Sequence, residues 1–321
     1  MTAKRNEVLV IQQEQIQRAN ISPAHCVSWV KDSFLNKTKS QLPAKISVHP
    51  QGNDFFTSMP CLLPEPYHRF GIKVVHRILG QEPSLGSDIL LYDSLSGNLL
   101  AMLDGDWITT MRTGAVVALA CQELQKKGCN TYSFIGLGNT ARAAALCIIE
   151  TAPNVPHFRI FKYKGQADNF IERFKEYDAT FEIINTIEDF VKGGDVIISC
   201  ITDASDLICE HDDWYREGVL LIPVHTRGFQ NCDLFFDKIY GDDTNHIKGF
   251  KYFSKFKKFD ELSNVLLAKN PGRENDKERI IAYNIGIALH DIFFANHLYE
   301  MLKADSVQSF IQYKESKKFW I

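Results

Sequence analysis

The 321-residue chain contains no apolar run that nears the roughly 18–20 residues needed to span a bilayer, so no membrane segment is expected. It has no basic excess either. With 36 lysines and arginines against 39 aspartates and glutamates, the formal net charge is −3, and no nucleic-acid partner is expected. The eight cysteines, at positions 26, 61, 121, 129, 147, 200, 209 and 232, include no pair at the two-residue spacing of a zinc or redox site. No metal is therefore expected. Cys147 and Cys200 lie in apolar runs and read as buried thiols. Reduced cysteines of this kind point to the cytoplasm. Met1 to Asn20 is polar and Gln-rich, unlike a secretory signal. Internal repeats and low-complexity segments are also missing. What is present, 45% hydrophobic and 23% charged residues, is the composition of a globular protein long enough for two domains.

Two short segments carry most of the chemistry. Tyr132-Ser133-Phe134-Ile135-Gly136-Leu137-Gly138-Asn139-Thr140-Ala141 reads as a strand, a glycine turn and a helix start, the arrangement that holds a dinucleotide pyrophosphate. Gly136 permits the tight turn, Gly138 lets the backbone approach the pyrophosphate, and Ala141 allows close helix–strand packing. An ordinary strand-to-helix turn would carry the same residues without a ligand. Upstream, Thr109-Thr110-Met111-Arg112-Thr113-Gly114-Ala115 places an arginine, able to clamp a carboxylate or phosphate, in a helix over 106–124.

Around these segments the patterning changes twice. An opening strand, Glu7–Ile11, is followed by a helix, and a second helix starts at Pro23 after the N-cap residue Ser22. Residues 45–101 read as short strands with turns, including a hairpin about Ser94-Leu95-Ser96-Gly97. From 131 to about 242, strands at 131–135, 158–162, 182–184, 195–199, 219–223 and 237–240 alternate with helices at 139–151, 166–176 and 187–192. Alternation of this kind implies a doubly wound parallel sheet. Residues 280 to about 302 read as one long apolar-periodic helix.

NAD-binding sheets usually carry an acidic residue at the end of the second strand, to accept hydrogen bonds from the ribose hydroxyls. Here Phe158-Arg159-Ile160-Phe161 ends in Lys162-Tyr163-Lys164. Lys162 and Lys164 would suit a 2′-phosphate, which favours NADP over NAD; as plain solvated surface charges they would favour neither.

With these residues in view, the chain resembles the ornithine cyclodeaminase/μ-crystallin family over nearly its whole length. The resemblance is carried by Ser58-Met59-Pro60, Gly71-Ile72-Lys73, Leu91-Tyr92-Asp93 through Gly105, Ile108 through Ala115, and Asn284-Ile285-Gly286-Ile287-Ala288-Leu289-His290-Asp291. Within the family it is most similar to the siderophore-pathway branch, through Pro271-Gly272-Arg273-Glu274-Asn275-Asp276 and through Lys45, where cyclodeaminases carry arginine. Those enzymes oxidatively cleave an amino-acid adduct to release 2,3-diaminopropionate. The resemblance implies an α/β architecture: a Rossmann-type doubly wound parallel sheet plus a discontinuous α/β substrate and dimerisation domain. The expected division is 1–115 for substrate and dimer contacts, 116–288 for NAD(P), and 289–321 as helices returning to the first domain. It implies a homodimer, and a substrate carboxylate gripped by Lys45, Lys73 and Arg112. Cations there suit an α-amino or imino acid. The expected cofactor-binding set is Arg112, Thr113, Gly136, Gly138, Asn139, Thr140, Ala141, Lys162, Lys164 and Thr202.

The pattern breaks after the strand 220–224. Counting back from Asp237, Arg227 stands where cyclodeaminases place a catalytic aspartate. A cation cannot accept the amine proton, so ornithine cyclisation is disfavoured, and an added arginine suits a second substrate carboxylate. His225 is the nearby group able to move protons near neutral pH, although a histidine hydrogen-bonded in a strand-end loop would look the same. Lys73 is the other group considered for the proton. His290 stands where the closing helix is expected to be acidic. The expectation is an NAD(P)-dependent oxidoreductase that transfers a hydride between nicotinamide and the α-carbon of an amino or imino acid. Its rivals are a lyase that recycles NAD and a non-catalytic NADP-binding protein.

Overall fold

The computed structural model describes residues 4–202, 204, 206–304 and 308–314. In chain order its elements are β1 (Lys4–Ile11), α1 (Gln13–Arg18), α2 (Pro23–Leu35), β2 (Ile46–Val48), β3 (Phe55–Leu62), β4 (Arg69–Arg77), β5 (Leu85–Asp93), β6 (Leu99–Asp104) and α3 (Asp106–Leu124). There follow β7 (Thr131–Ile135), α4 (Asn139–Thr151), β8 (His157–Phe161), α5 (Gln166–Phe174), β9 (Thr180–Ile184), α6 (Ile187–Gly193), β10 (Val196–Ser199) and β11 (Leu220–Pro223). The last are β12 (Lys238–Gly241), α7 (Thr244–Ile247), β13 (Phe259–Glu261), α8 (Leu262–Leu266), β14 (Ile280–Tyr283), α9 (Ala288–Leu302) and β15 (Gln308–Lys314). The chain forms two compact units: Met1–Ser22, Asn36–Thr109 and Ile287–Ile321 make one, Pro23–Leu35 and Thr110–Gly286 the other.

The first unit is built on a seven-stranded sheet of order β15-β1-β6-β5-β4-β3-β2. Strands β3 to β6 form an antiparallel meander. The β5–β6 turn is closed by Asp93, whose carboxylate accepts hydrogen bonds from the amides of Leu95 and Ser96. Side chains alternate across the sheet. Met59, Cys61, Lys73, Ile89, Leu91, Ala101 and Leu103 are buried on one face, where α9 packs on β3, β4 and β5. On the other face Val48 is opposite Phe56, Phe70 is opposite Tyr92, and Leu90 is opposite Met102. Val48, Phe56, Phe70 and Met102 are exposed there.

The second unit is a parallel eight-stranded sheet of order β13-β12-β14-β11-β10-β7-β8-β9. Chain order runs outward from β7 to β9, then returns so that β10 lies on the other side of β7. That reversal is the topological switch point at which open α/β sheets bind ligands. The expected doubly wound sheet is thus present, with strand limits shifted by one or two residues from those read in the sequence.

Three features differ from the sequence reading. Ile280–Tyr283 is not the start of a helix but β14, fully buried between β11 and β12. The β-branched Ile280 and Ile281 suit a strand covered on both faces, and Gly286, at φ +76°, ends the segment before α9 begins at Ala288. The segment after α9 contains a strand, β15, antiparallel to β1, where only helices were expected; residues 305–307 and 315–321 lie outside the described set. Helix α2, early in the sequence, belongs to the second unit. It packs on α4, and the Ala24 amide donates to the Glu150 carboxylate at 3.2 Å.

Helices α3 and α4 touch at Gly114. A Cβ built there would lie 2.4 Å from the Ala143 carbonyl carbon and 2.5 Å from the Ala144 nitrogen, both backbone atoms. Gly114→Ala must therefore spread the two helices, and overpacking of this kind costs about 1–3 kcal/mol. Urea unfolding is expected to register that loss; an unchanged midpoint would mean that α3 does not pack this closely on α4.

Candidate functional site

In the second unit the site begins at the end of β7, where Tyr132, Ser133, Phe134 and Ile135 are buried and anchor the strand. Gly136 follows at φ +78°. A Cβ there would lie 2.5 Å from the Ile201 amide nitrogen and 2.7 Å from the Cys200 carbonyl oxygen, so only glycine fits beside the chain leaving β10. Gly138 is the N-cap of α4 and has no atom within 4 Å of its would-be Cβ, which leaves the backbone open to close approach. No side chain caps α4. The amides of Asn139, Thr140 and Ala141, in the first turn, lack partners within the helix and point with its positive dipole end toward any anion placed there. Ala141, Ala144 and Ala145 are buried, so the helix lies close on the sheet.

A groove of about 490 Å³ opens beside this turn, lined among others by Gly136, Gly138, Phe161, Tyr163, Ile201 and Thr202. The structure thereby brings together the expected glycines and Thr202. Gln166, the first residue of α5, accepts a hydrogen bond from the Leu137 amide at 3.4 Å and so ties α5 to the turn. Lys162 and Lys164 are exposed on either side of Tyr163 in the chain, and the Lys164 ammonium lies 5.1 Å over the Tyr163 ring. These cations directly follow the end of β8, with no carboxylate among residues 162–164.

Arg112 and Thr113 lie in the second turn of α3 and are buried, Arg112 being 6% exposed. The Asn284 side-chain amide donates to the Thr113 carbonyl at 3.0 Å, which fixes this turn of α3 to the end of β14. His225 follows β11 and is half-buried. Its Nε2 is 2.7 Å from the hydroxyl of Ser199, at the end of β10, and its ring stacks near Phe229 with centroids 6.0 Å apart. Burial holds the imidazole below its ordinary value, with the Arg227 backbone opposing in part. Arg227 itself is exposed.

Lys45 and Lys73 belong to the first unit. Lys45 is exposed, just before β2. Lys73 is fully buried on β4 and donates to Asp291 Oδ1, on α9, at 2.9 Å. Both residues are 0% exposed. The carboxylate of the closing helix is thus supplied by Asp291, next to His290, which is itself buried. Sequence reasoning missed Asp291, although a signal was there: it is the one carboxylate between Ile287 and Leu298, and Lys73 is the one charge in Ile72-Lys73-Val74-Val75. Two isolated opposite charges in buried apolar elements suggest each other as partners. Ser199 was missed because nothing local marks it, and Asn284 opens a segment of the family resemblance that gave it no role of its own. Among the described residues no group of three or more His, Cys, Asp or Glu side chains could hold a metal ion, and no helix is long and apolar enough to cross a membrane.

Removing one partner of a buried ion pair strands the other charge, at a cost of about 3–5 kcal/mol, whereas replacing both with apolar groups is often neutral. Asp291→Ala is therefore expected to lower the unfolding free energy by that amount, and the double change Lys73→Met with Asp291→Leu to restore most of it. Denaturant titration checks this. A loss of under about 1 kcal/mol in Asp291→Ala, the scale of an exposed pair, would mean that the pair is solvated.

The chain matches the model of the ornithine cyclodeaminase/mu-crystallin family over residues 6–306. It is similar to the N-((2S)-2-amino-2-carboxyethyl)-L-glutamate dehydrogenase of Staphylococcus aureus, with 26% identity over 239 residues, 68% of this chain and 69% of that one. Its fold is shared with the Δ1-pyrroline-2-carboxylate reductase of Thermococcus litoralis, solved with NADH and L-proline (TM-score 0.84, 22% identity, covering 94% of this chain and 99% of that one). An archaeal alanine dehydrogenase dimer with bound NAD superposes at a TM-score of 0.82, with 20% identity over 95% of this chain and 99% of that one. With the glycine turn at the switch point and a match over nearly its whole length, the chain belongs to the ornithine cyclodeaminase/mu-crystallin family.

Proposed function

We propose that this protein is an NAD(P)-dependent oxidoreductase that moves a hydride between nicotinamide and the α-carbon of a small amino or imino acid. The observation that carries the reading is the glycine turn at the switch point, with an uncapped helix N-terminus, an open Gly138 and a groove beside it. The relatives named above are amino-acid dehydrogenases and an imine reductase, two of them solved with NADH or NAD, which supports the same chemistry here. When bound, the nicotinamide supplies the hydride acceptor or donor. Gly136, Gly138 and the amides of Asn139, Thr140 and Ala141 would hold the pyrophosphate, with Thr202 at the groove wall. Lys162 and Lys164 would meet a 2′-phosphate and favour NADP.

On the substrate side we assign Arg112, Lys73 and Lys45 to carboxylate binding. Lys73 is held by Asp291, so its position on β4 is set before any substrate arrives. His225, held by Ser199, is the proton-handling group: in oxidation the neutral imidazole accepts the amine proton, and in reduction the imidazolium returns it. Lys73 is the alternative for this step. Arg227 is exposed and would suit a second carboxylate, as in an N-(carboxyalkyl) amino-acid adduct like the substrate named for the staphylococcal relative. The apolar sheet face with Val48, Phe56, Phe70 and Met102 is of the kind that marks protein contacts, and we assign it to a homodimer. Eight free thiols suit a reducing, cytoplasmic setting.

The test is nicotinamide absorbance with NADPH or NADH and a panel of imino, keto and amino acids, Δ1-pyrroline-2-carboxylate and dicarboxylic adducts among them. Consumption of cofactor with an α-imino or α-amino acid is expected. Proline and ammonia from ornithine with no net cofactor change would replace this reading with a cyclodeaminase, and tight NADPH binding without turnover would replace it with a binding protein. Lys162→Ala with Lys164→Ala is expected to weaken NADPH about tenfold, or ~1.4 kcal/mol, and to spare NADH; equal effects on both would remove the 2′-phosphate role. Because burial lowers the imidazole's affinity for protons, a rate that needs neutral His225 should hold as the pH falls to 6.5 and decline only in more acid solution. A limb at or above the ordinary value of 6.5 that persists in His225→Asn would assign the proton to another group.

A further inference from the structure

We propose that Asp242 is a positioning residue that sets the Arg112 guanidinium through the turn following β14. The inference rests on the reading of Arg112 as a carboxylate clamp and adds what holds the clamp in place. Strands β12 and β14 are paired in parallel with Gly241 opposite Tyr283, so the residues that follow each strand lie side by side. Asp242, 1% exposed, accepts hydrogen bonds at Oδ2 from the amides of Ile285 at 2.9 Å and Gly286 at 2.8 Å. A carboxylate is expensive to bury without such donors, and two amides on one oxygen are charge-assisted bonds, stronger than neutral ones. They pin the backbone of the turn where Gly286 takes φ +76°.

The guanidinium rests on that turn. A Cβ at Gly286 would lie 2.8 Å from Arg112 Nη1, 3.0 Å from Nη2 and 3.3 Å from Cζ. The glycine therefore serves twice, by adopting the left-handed conformation and by leaving the space the guanidinium fills. Two residues earlier, Asn284 donates to the Thr113 carbonyl, so the same turn fixes both the backbone beside Arg112 and the end of its side chain. A clamp aimed from one side by the helix and bounded from the other by a pinned turn is preorganised for a planar carboxylate, and misplacement of such a group by about 1 Å can cost on the order of 100-fold in rate.

The experiment uses the full chain labelled with 15N-arginine. It follows the Arg112 Nε–H resonance, assigned by its loss in Arg112→Lys, and the KM for Δ1-pyrroline-2-carboxylate. Asp242→Ala removes the acceptor, and Gly286→Ala crowds the guanidinium from the turn itself while the Asp242 carboxylate is retained. Asp242→Asn retains an acceptor oxygen. The resonance should be displaced or broadened in Asp242→Ala and Gly286→Ala and recover in Asp242→Asn. The KM for the acid should rise about tenfold or more, and Gly286→Ala should add nothing in an Arg112→Ala background. An unmoved Arg112 resonance in Gly286→Ala and in whichever Asp242 variant folds would overturn the proposal. A displaced resonance together with an Arg112→Ala variant whose KM for the acid is unchanged would uphold the positioning and instead defeat the reading of Arg112 as the clamp.

Discussion

Lys73 lies on a central strand of the first unit with no exposure to water, and its ammonium meets Asp291 at 2.9 Å. Taking either charge out of water alone costs several kcal/mol; together, with good geometry, they offset most of it. The pair also dictates placement. Lys73 meets Asp291 on the α9-facing side of β4, and a one-residue slip of β4 would turn the lysine to the opposite face. The apolar residues around it, Cys61, Ile89, Leu91 and Ile292, provide the driving force for packing, while the ion pair selects one register among the arrangements that driving force permits.

The second unit depends on backbone geometry more than on charge. Its parallel sheet buries strands such as β10, β11 and β14 completely, so polar function is confined to the strand ends, where backbone amides become available. Gly136 brings the turn after β7 against the chain leaving β10. At the other strand ends Ser199 meets His225, and Asp242 meets the amides of Ile285 and Gly286. His225 is thus supported by a residue at the end of a neighbouring strand, and so is the turn beside Arg112; groups fixed in this way are preorganised.

What was legible in the sequence was local. The glycine turn, the helix that carries Arg112 and the hairpin about Gly97 are each specified within a dozen residues. The failures involve partners distant in the chain. Ile280–Tyr283 and the helix after it form one apolar stretch, and a short buried strand cannot be told from a buried helix by periodicity alone. Strand β15 is defined by β1, some 300 residues away, with Val8 opposite Phe310, so its own composition says little. Asp242 carries no motif, and Asp291 closes a segment of the family resemblance that gives it no role: what each does comes from what the fold sets beside it, two backbone amides after β14 in one case and a lysine on β4 in the other. Asp242 could not have been found without the sheet order.

Family membership bounds the chemistry, and the groove beside Gly136 and Gly138 is where we propose that a dinucleotide binds. The claim that most needs testing is the route of the hydride itself. The protein would be incubated with NADPH deuterated at nicotinamide C4 and an α-imino acid, and the product examined by mass spectrometry and NMR. The account predicts one deuterium at the α-carbon for each cofactor oxidised. Product with no deuterium at that carbon, formed from cofactor carrying deuterium at both C4 positions, would contradict it.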